Sequence, residues 1–429
     1  MKKHLVAAAL AAVFCSASAF AAEPTLEEKF DILQRELDAL KAQMAKLAAA
    51  PAAPSGTYAA SAAAPAPAAS NTNLGPATTI GGYGELSYNR YSKGDKNNEA
   101  DLRRFVLFFG HRFNDNLRFV SELELEHGVT SKDDNGEVEI EQAYLDYRVN
   151  DALNFKAGLF IIPLGLLNET HEPPTYYGVE RNEVETRILP TTWREGGIGV
   201  HGEVAQGLKY DVGITTGFNS GKIDDPSTGF RSGHQEMTMA RANDLSMYAA
   251  LNYRGQPGLL IGGGIFSGNT GQDGFTDRGT VRQQPLLQGV KARLTLWDVH
   301  AKYTLGKLDL QGLYAKGTLG DVDAVSAAAV AAGRDGAIAK SIYGWYGQAA
   351  YHVWQRGDLD LAPFVRYEKY NTQQEVAAGF TADAKNDERV ITAGLNFKLH
   401  PQVVLKADFQ KYRADNSKDR FNLGVGYMF

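Results

Sequence analysis

From residue 78 onward, the chain alternates apolar and polar residues along short segments. Val403, Leu405 and Ala407 share one parity, whereas Lys406 and Asp408 share the other. Because successive side chains of a strand point to opposite faces, this period of two predicts β-strands. We predict sixteen strands, at residues 78–93, 100–114, 117–130, 136–150, 153–165, 194–204, 208–218, 245–255, 258–270, 289–305, 307–320, 341–354, 359–371, 388–400, 402–414 and 419–429.

The segments that connect these strands alternate between tight turns and longer loops. The turns include "ND" at 150–151 and "GK" at 306–307, whereas the longest loop covers residues 166–193. Short turns at one end, long loops at the other and an even number of strands are typical of a transmembrane barrel. The apolar face then meets lipid, and the polar face lines an interior too wide for side chains to fill. The predicted fold is all-β, a 16-stranded antiparallel transmembrane β-barrel (78–429).

The first residues have the features of a secretory signal peptide, which we place at 1–21. Lys2 and Lys3 precede an apolar stretch, and an A-x-A site ends at residue 21. Removal of this segment takes away the two lysines and the single cysteine, so the net charge falls from −6 to −8. A mature chain without cysteine has no disulfide and no cysteine-bound zinc. Its negative charge argues against a nucleic-acid partner, and we predict no cofactor and no metal ligands.

Two short regions lie between the signal peptide and the barrel. Residues 22–47 carry a heptad seam, which predicts a coiled-coil helix, although a lone amphipathic helix is the alternative. Residues 48–77 are rich in alanine and proline and predict an extended linker. The seam consists of Leu26, Phe30, Leu33, Leu37, Leu40, Met44 and Leu47.

Three stretches of the barrel region carry a family resemblance: "LNFKAGLFIIPLG" (153–165), "HEPPTYYGVERNEVE" (171–185) and "LPTTWREGGIGVHG" (189–202). With them, the chain resembles the phosphate-selective porin O/P family of Gram-negative outer membranes. The resemblance implies a trimeric 16-stranded porin whose third loop folds into the lumen. It does not by itself imply phosphate selectivity, because one fold hosts many functions.

The loop at 166–193 is acidic, with candidate constriction residues Glu180, Glu183 and Glu185 against Arg181 and Arg187. A phosphate filter would concentrate hydrogen-bond donors at its narrowest point, whereas this loop concentrates acceptors. Our preferred hypothesis is that the glutamates fasten the loop to a basic barrel wall. The alternative is a loop outside the lumen that caps the pore or contacts a neighbouring subunit.

The same alternation along each strand also identifies charged side chains that face the barrel interior. A phase slip near 297–298 predicts a bulge in strand 289–305 and a basic ladder along it. Rings of arginine and lysine attract anions, but mixed charges also simply keep a wide lumen wet. The basic candidates for the pore lining are Arg104, Arg118, Lys156, Lys291, Arg293, Lys302 and Arg366.

These features favour an outer-membrane porin for passive diffusion of ions and small hydrophilic solutes, with no catalytic residue. One alternative is an anion- or phosphate-selective channel, and another is a structural protein that tethers the envelope through its coiled coil. The expected partners are two further copies in a homotrimer, outer-membrane lipid and lipopolysaccharide, the permeating solutes and, for the periplasmic helix, peptidoglycan.

Overall fold

The computed structural model describes residues 77–93, 96–274 and 285–429. The predicted signal peptide (1–21), the coiled-coil helix (22–47) and the linker (48–77), apart from its last residue, lie outside the described residues.

The described strands form one antiparallel sheet in which each strand pairs with the next along the chain. The segment Trp354–Arg356 continues β12, because both segments pair with the same neighbour, β13. In chain order the strands are Thr78–Tyr91 (β1), Glu99–Arg112 (β2), Leu117–Glu126 (β3), Glu137–Asn150 (β4), Leu153–Ile161 (β5), Arg194–Ala205 (β6), Leu208–Thr216 (β7), Leu245–Tyr253 (β8), Leu259–Gly268 (β9), Leu294–Leu305 (β10), Leu308–Leu319 (β11), Ala339–Tyr351 (β12), Leu359–Val376 (β13), Asp387–His400 (β14), Val403–Tyr412 (β15) and Arg420–Met428 (β16).

The sheet closes on itself because β16 also pairs with β1, from Tyr83 opposite Met428 to Tyr91 opposite Arg420. The backbone groups of Gly82 and Phe429 exchange two further hydrogen bonds, of 3.0 and 2.9 Å, at this seam. A closed sheet leaves no row of unpaired backbone groups for lipid to contact. The predicted 16-stranded antiparallel barrel is therefore confirmed.

The outward face of the barrel is apolar. Ile391, Leu395 and Val365 are among the exposed large hydrophobic side chains of the wall. Aromatic side chains, including Tyr351 and Trp354, are exposed near the short turns. An apolar band bordered by aromatic residues is the usual lipid-facing surface of an outer-membrane barrel. Among the described residues, no helix has the length and apolar character that a membrane crossing requires.

The short turns lie at one end of the barrel and the long loops at the other. Gly207 and Gly306 adopt positive φ values of 74° and 61° in two of the turns. Glycine reaches this backbone region without the steric cost that a Cβ atom brings. We call the two ends of the barrel the short-turn end and the long-loop end.

Two β-bulges change which side chains face inward. In β2, Arg104 pairs with Glu85 and Leu102 pairs with Leu86, so Arg103 is an extra residue. In β4, Gln142 pairs with Glu122 and Ile140 pairs with Leu123, so Glu141 is an extra residue. A bulge sets two residues of one strand against one residue of its partner. Each bulge therefore brings two consecutive polar residues to the interior.

The predicted bulge near 297–298 is wrong, because β10 pairs with both β9 and β11 without a register shift. The strand begins at Leu294, and Leu294 and Leu296 are buried, whereas Val299 is exposed. The inward face of β10 is therefore apolar at the long-loop end, where the sequence interpretation expected a polar face. The physical reason is that loops fold into the barrel and pack against this part of the wall.

That packing forms an apolar core inside one side of the barrel. Trp193 packs edge-to-face against Phe218 and Phe266, with ring centroids 5.1 and 4.5 Å away. The short helix α1 (Val184–Arg187) and the longer helix α2 (Val322–Ala331) contribute Val184 and Val325 to the same core. Passage through the barrel is thereby restricted to the remaining, polar part of the interior.

Candidate pore and constriction loop

The loop at 166–193, which we call the constriction loop, crosses the interior of the barrel. The hydroxyl of Tyr176 donates a hydrogen bond to Glu85 of β1 at 2.8 Å. On the far side, the hydroxyl of Tyr177 donates to Asp309 of β11 at 2.6 Å. The amide of Val179 donates to Asp408 of β15 at 2.6 Å. Contacts with distant strands place the loop inside the lumen, as the resemblance implied.

Acidic side chains of the wall hold the backbone of the constriction loop. Glu368 of β13 accepts hydrogen bonds from the amides of Glu183 and Val184, at 2.7 and 3.3 Å. Asp298 of β10 accepts one from the amide of Gly165, the residue immediately before the loop, at 3.0 Å. A carboxylate that accepts backbone N–H groups makes a charge-assisted hydrogen bond, which is stronger than a neutral one. Much of the attachment of the loop therefore consists of hydrogen bonds from its backbone amides to carboxylates of the barrel wall.

The hypothesis that the loop glutamates are held by a basic wall is correct for Glu180 alone of the three candidates. Arg103 of β2 donates two hydrogen bonds to Glu180, at 2.8 and 3.0 Å. Glu183 instead accepts from Tyr412 at 2.6 Å and pairs with Arg187 of its own loop. Glu185 accepts from the loop amides of residues 166 and 167 and from Tyr346 of β12. Hydroxyl and amide donors thus take the place of most of the expected basic side chains.

Glu183 remains ionised despite its burial. Burial by itself opposes ionisation of this carboxyl, but Arg187 and Arg420, together with the Tyr412 hydroxyl, lower its pKa to about 2. A nearby opposite charge favours the ionised form of an acid. The Glu183–Arg187 ion pair therefore keeps both of its charges over the ordinary pH range.

Glycines on the inward face of β16 allow the constriction loop to approach the wall closely. A Cβ atom at Gly424 would lie 3.0 Å from Val179, and one at Gly426 would collide with Pro173. Glycine in a strand interior often marks a place where another segment of backbone approaches. The spacing of these two glycines therefore fixes where the loop rests on β16.

One polar cavity lies on either side of the constriction loop. The cavity at the short-turn end has a volume of about 720 Å³, and the cavity at the long-loop end has a volume of about 280 Å³. His171 and Glu172 of the loop line the first cavity, and Tyr176 and Glu180 line the second. The loop is therefore the element that separates the two water-accessible spaces.

The two cavities differ in charge. Six arginines line the long-loop cavity against four glutamates; they are Arg103, Arg104, Arg181, Arg187, Arg231 and Arg420, with Glu85, Glu126, Glu180 and Glu183. Six basic residues line the short-turn cavity against eight carboxylates; they are Arg112, Arg118, Arg148, Lys156, Lys209 and Arg254, with Asp115, Glu122, Asp146, Asp151, Glu169, Glu172, Glu203 and Asp211. With histidines neutral, the long-loop cavity carries an excess of positive charge and the short-turn cavity an excess of negative charge.

Ion pairs within each cavity keep the opposite charges close together. In the long-loop cavity, Arg104 lies 2.8 Å from Glu85, and Arg103 lies 2.8 Å from Glu180. In the short-turn cavity, Lys156 lies 2.5 Å from Asp211. Such pairs leave a polar wall with no long run of one sign. Water and ions of either charge find partners on it.

The structure separates the predicted pore-lining residues into three groups. Those that line a cavity are Arg104, Arg118, Lys156, Glu180, Arg181, Glu183 and Arg187. Those that lie on the interior but line neither cavity are Glu185, Lys302 and Arg366. The third group, Lys291 and Arg293, is exposed and precedes β10, and Arg293 donates to Ser267 on the outward side of the wall. The predicted basic ladder along this strand is therefore wrong.

Several residues of the site escaped the sequence interpretation. Arg103 and Glu141 face inward because of the two bulges, and Arg231 and Arg420 reach the long-loop cavity from loop and strand ends. The signal for a bulge was present, because "RR" at 103–104 and "EQ" at 141–142 interrupt the alternation with two consecutive polar residues. Such a pair within an alternating strand predicts an extra inward residue.

Comparison with known proteins agrees with this geometry. The family model of phosphate-selective porin O and P matches residues 80–423. The chain belongs to this family. An uncharacterized protein of Aquifex aeolicus (strain VF5) is 30% identical over 362 residues, which cover 82% of this chain and 80% of the relative.

Two solved porins share the fold of this family member at low sequence identity. OmpF of Salmonella typhi, in complex with daunomycin, is 14% identical with a TM-score of 0.56, covering 82% of this chain and 97% of its own. The anion-selective porin of Comamonas acidovorans is 13% identical with a TM-score of 0.50, covering 82% and 99%. This porin O/P family member is therefore an outer-membrane porin, a channel for passive diffusion of ions and small hydrophilic solutes.

Proposed function

We propose that solutes cross this porin by passing from the long-loop cavity, beside the constriction loop, into the short-turn cavity. The observation that carries the proposal is the position of the loop, which spans the lumen between Glu85 and Asp309 and leaves a polar cavity on each side. Positive charge at one cavity and negative charge at the other provide partners for both signs of ion. Transport is then general and passive, with the solute gradient as its driving force and no catalytic residue.

Planar-bilayer recording of the purified full-length porin tests this path. We expect stepwise increases in current as single channels insert, with a conductance that is ohmic and rises in proportion to the salt concentration. Boiled protein is the matched control and is expected to give no steps. Absence of steps from folded, heat-modifiable protein would show that the loop closes the lumen and that the proposed path does not exist.

A second candidate is a channel selective for anions, including phosphate. The excess of arginine in the long-loop cavity favours it, because fixed positive charge raises the local concentration of anions. The zero-current potential across a chloride gradient measures the preference for anions. Added phosphate then measures specificity: block of the chloride current that increases with dose supports a phosphate-binding channel, and an unblocked current eliminates it.

A third candidate is a role in envelope attachment, which rests on the heptad seam at 22–47. We propose that this helix lies in the periplasm, where it associates with the helices of two further copies in a homotrimer. The barrel of each copy contacts outer-membrane lipid and lipopolysaccharide, and the helices extend toward peptidoglycan. Deletion of residues 23–77 tests the role. Loss of envelope attachment with unchanged permeability supports it, whereas unchanged attachment rules it out.

A further inference from the structure

Three side chains from three elements meet in the interior, next to the short-turn cavity. They are Glu122 of β3, Glu141 from the bulge of β4 and His171 of the constriction loop. One ligand atom from each lies within 4.8 Å of the others. Their exposed fractions are 1%, 0% and 3%. The cluster joins the loop to the barrel wall, and the path that we propose for solutes runs beside it.

Glu141 has few partners within the described part of the chain, and the ion-pair contact found for it is Nε2 of His171, 3.8 Å away. Neither of its carboxylate oxygens has a hydrogen-bond partner there, and the buried hydroxyl of Tyr83 has none either. A further buried carboxyl group, Glu124, interacts with Glu141 and has Arg104 as its own partner at 3.2 Å. Burying an ionised carboxylate without a hydrogen-bond donor is costly. The bulge thus places an acid where a bound cation would satisfy it.

The ring of His171 is oriented as a metal ligand would be. Its Nδ1 lies 2.9 Å from the carbonyl oxygen of Asn168, which can only accept, so Nδ1 carries the hydrogen and donates it. The other nitrogen, Nε2, is thereby turned toward the two carboxylates. A histidine that binds a metal usually donates its second ring N–H to a carbonyl or carboxylate in this way.

The distances within the cluster also suit a shared cation. Nε2 of His171 lies 3.4 Å from Glu122 and 3.8 Å from Glu141. Both distances exceed the roughly 2.7–2.9 Å of a direct charge-assisted hydrogen bond. Ligands about 2.1 Å from a tetrahedral zinc ion are separated from one another by about 3.4 Å. Gln142 fixes the carboxylate of Glu122 by donating to its second oxygen at 2.7 Å.

We propose that Glu122, Glu141 and His171 form a binding site for a divalent transition-metal cation, with Zn²⁺ as the ion it fits best. One imidazole and two carboxylates match the donors that zinc takes, whereas calcium prefers six or more oxygen ligands. Three protein ligands leave a fourth position for water or a passing solute. The bound ion neutralises buried negative charge and fastens the constriction loop to β3 and β4.

Zinc binding to the full-length porin, purified in detergent and stripped with a chelator, tests the site by titration calorimetry. We expect one zinc ion per chain, and affinity lower by about tenfold or more in Glu141→Gln and in His171→Ala. His201→Ala is the matched control, because His201 lies 3.2 Å from a single carboxylate, Asp146. We expect it to bind zinc as the unmodified porin does.

Two further measurements keep the test decisive. Heat-modifiable migration on gels shows whether each variant is folded, and Glu122→Gln replaces any variant that is not. Cobalt added in place of zinc should give the visible absorption of a tetrahedral site. Zinc affinity that is unchanged in the folded cluster variants, or calcium that binds more tightly than zinc, would overturn the proposal. Because binding is measured without conduction, failure here is distinct from failure of the proposed path.

Discussion

Arg103 and Arg104 are neighbours in the chain, yet both side chains serve the interior. Arg104 pairs with Glu85 of the wall, and Arg103 pairs with Glu180 of the constriction loop. The bulge in β2 makes this possible, since regular alternation would turn one of the two toward lipid. One inserted residue thus supplies a cation that both anchors the loop and sets the charge of the long-loop cavity.

We predict opposite effects on ion selectivity from the two partners of the Arg103–Glu180 pair. Glu180→Gln leaves Arg103 uncompensated and should raise the anion-to-cation permeability ratio, whereas Arg103→Gln should lower it. A change of about twofold to fivefold is expected, because one unit charge acting over about 4 Å in water is worth about 1 kcal/mol. Zero-current potentials in a salt gradient measure the ratio.

The double variant Arg103→Gln/Glu180→Gln is the control, because it removes both charges and restores the net charge of the cavity. Its permeability ratio should return close to that of the unmodified porin. If both single variants shift the ratio in the same direction, loop displacement rather than charge controls selectivity, and our electrostatic account of the cavity is wrong.

Parity predicted part of this residue-scale detail. It identified Lys156 and Arg366 as inward-facing because each lies in a regularly alternating stretch. It missed Arg103 and Glu141, because a bulge depends on the pairing with a neighbouring strand and not on one strand alone. Local alternation therefore gives the face of most residues and fails where the register shifts.

At the scale of elements, the strands could be predicted and the path of the loops could not. All sixteen strands were anticipated, because each needs only its own alternation and turns. The inward course of the constriction loop rests on contacts between distant residues, such as Val179 with Asp408. Lys291 and Arg293 were misplaced for the same reason: nothing local reveals that β10 presents apolar residues to an inward-folded loop.

The contact between β16 and the constriction loop gives a prediction about packing. Gly426→Val places a branched side chain where Pro173 now rests, so the loop must move or the strand must bend. Overpacking of this kind typically costs about 1–3 kcal/mol. Guanidinium unfolding in detergent micelles, followed by circular dichroism, should show a lower midpoint for this variant.

Gly347→Val on β12 provides the matched control, because nothing lies within 4 Å of a Cβ atom at that position. Valine is also favoured in strands, so we expect an unchanged or slightly higher midpoint. Equal losses at both glycines would mean that strand flexibility, and not the seat of the loop, explains the effect.

The apolar core behind the constriction loop depends on Trp193, which is 1% exposed. We predict that Trp193→Ala destabilises the porin by about 3–5 kcal/mol, because it removes a buried aromatic ring and leaves a cavity. Trp345→Ala is the control, since Trp345 is exposed on the outward face of β12 and lipid or detergent can fill its place. Comparable losses in the two variants would contradict an interior core that is packed like that of a soluble protein.

At the scale of the whole molecule, the barrel is in contact with two environments, lipid and water, and has three kinds of surface. Its outer face contacts lipid, part of its interior is an apolar core against the inward-folded loops, and the rest is polar and open to water. A simple rule of apolar outside and polar inside therefore holds for the lipid face and only for part of the interior.

The lipid face gives the last prediction. Leu395 lies on the outward face near the middle of β14, and Leu395→Arg should destabilise the barrel by about 2–4 kcal/mol, the cost of arginine near the bilayer midplane. Val129→Arg is the control, because Val129 is also exposed but lies between β3 and β4, beyond the strands. Unfolding of the barrel from lipid vesicles should have a lower denaturant midpoint for Leu395→Arg than for Val129→Arg, because only at position 395 does the charged side chain lie in lipid. Unfolding of both variants at the same denaturant concentration would mean that Leu395 faces a partner subunit or water. Our assignment of the lipid-facing surface would then be wrong at this position.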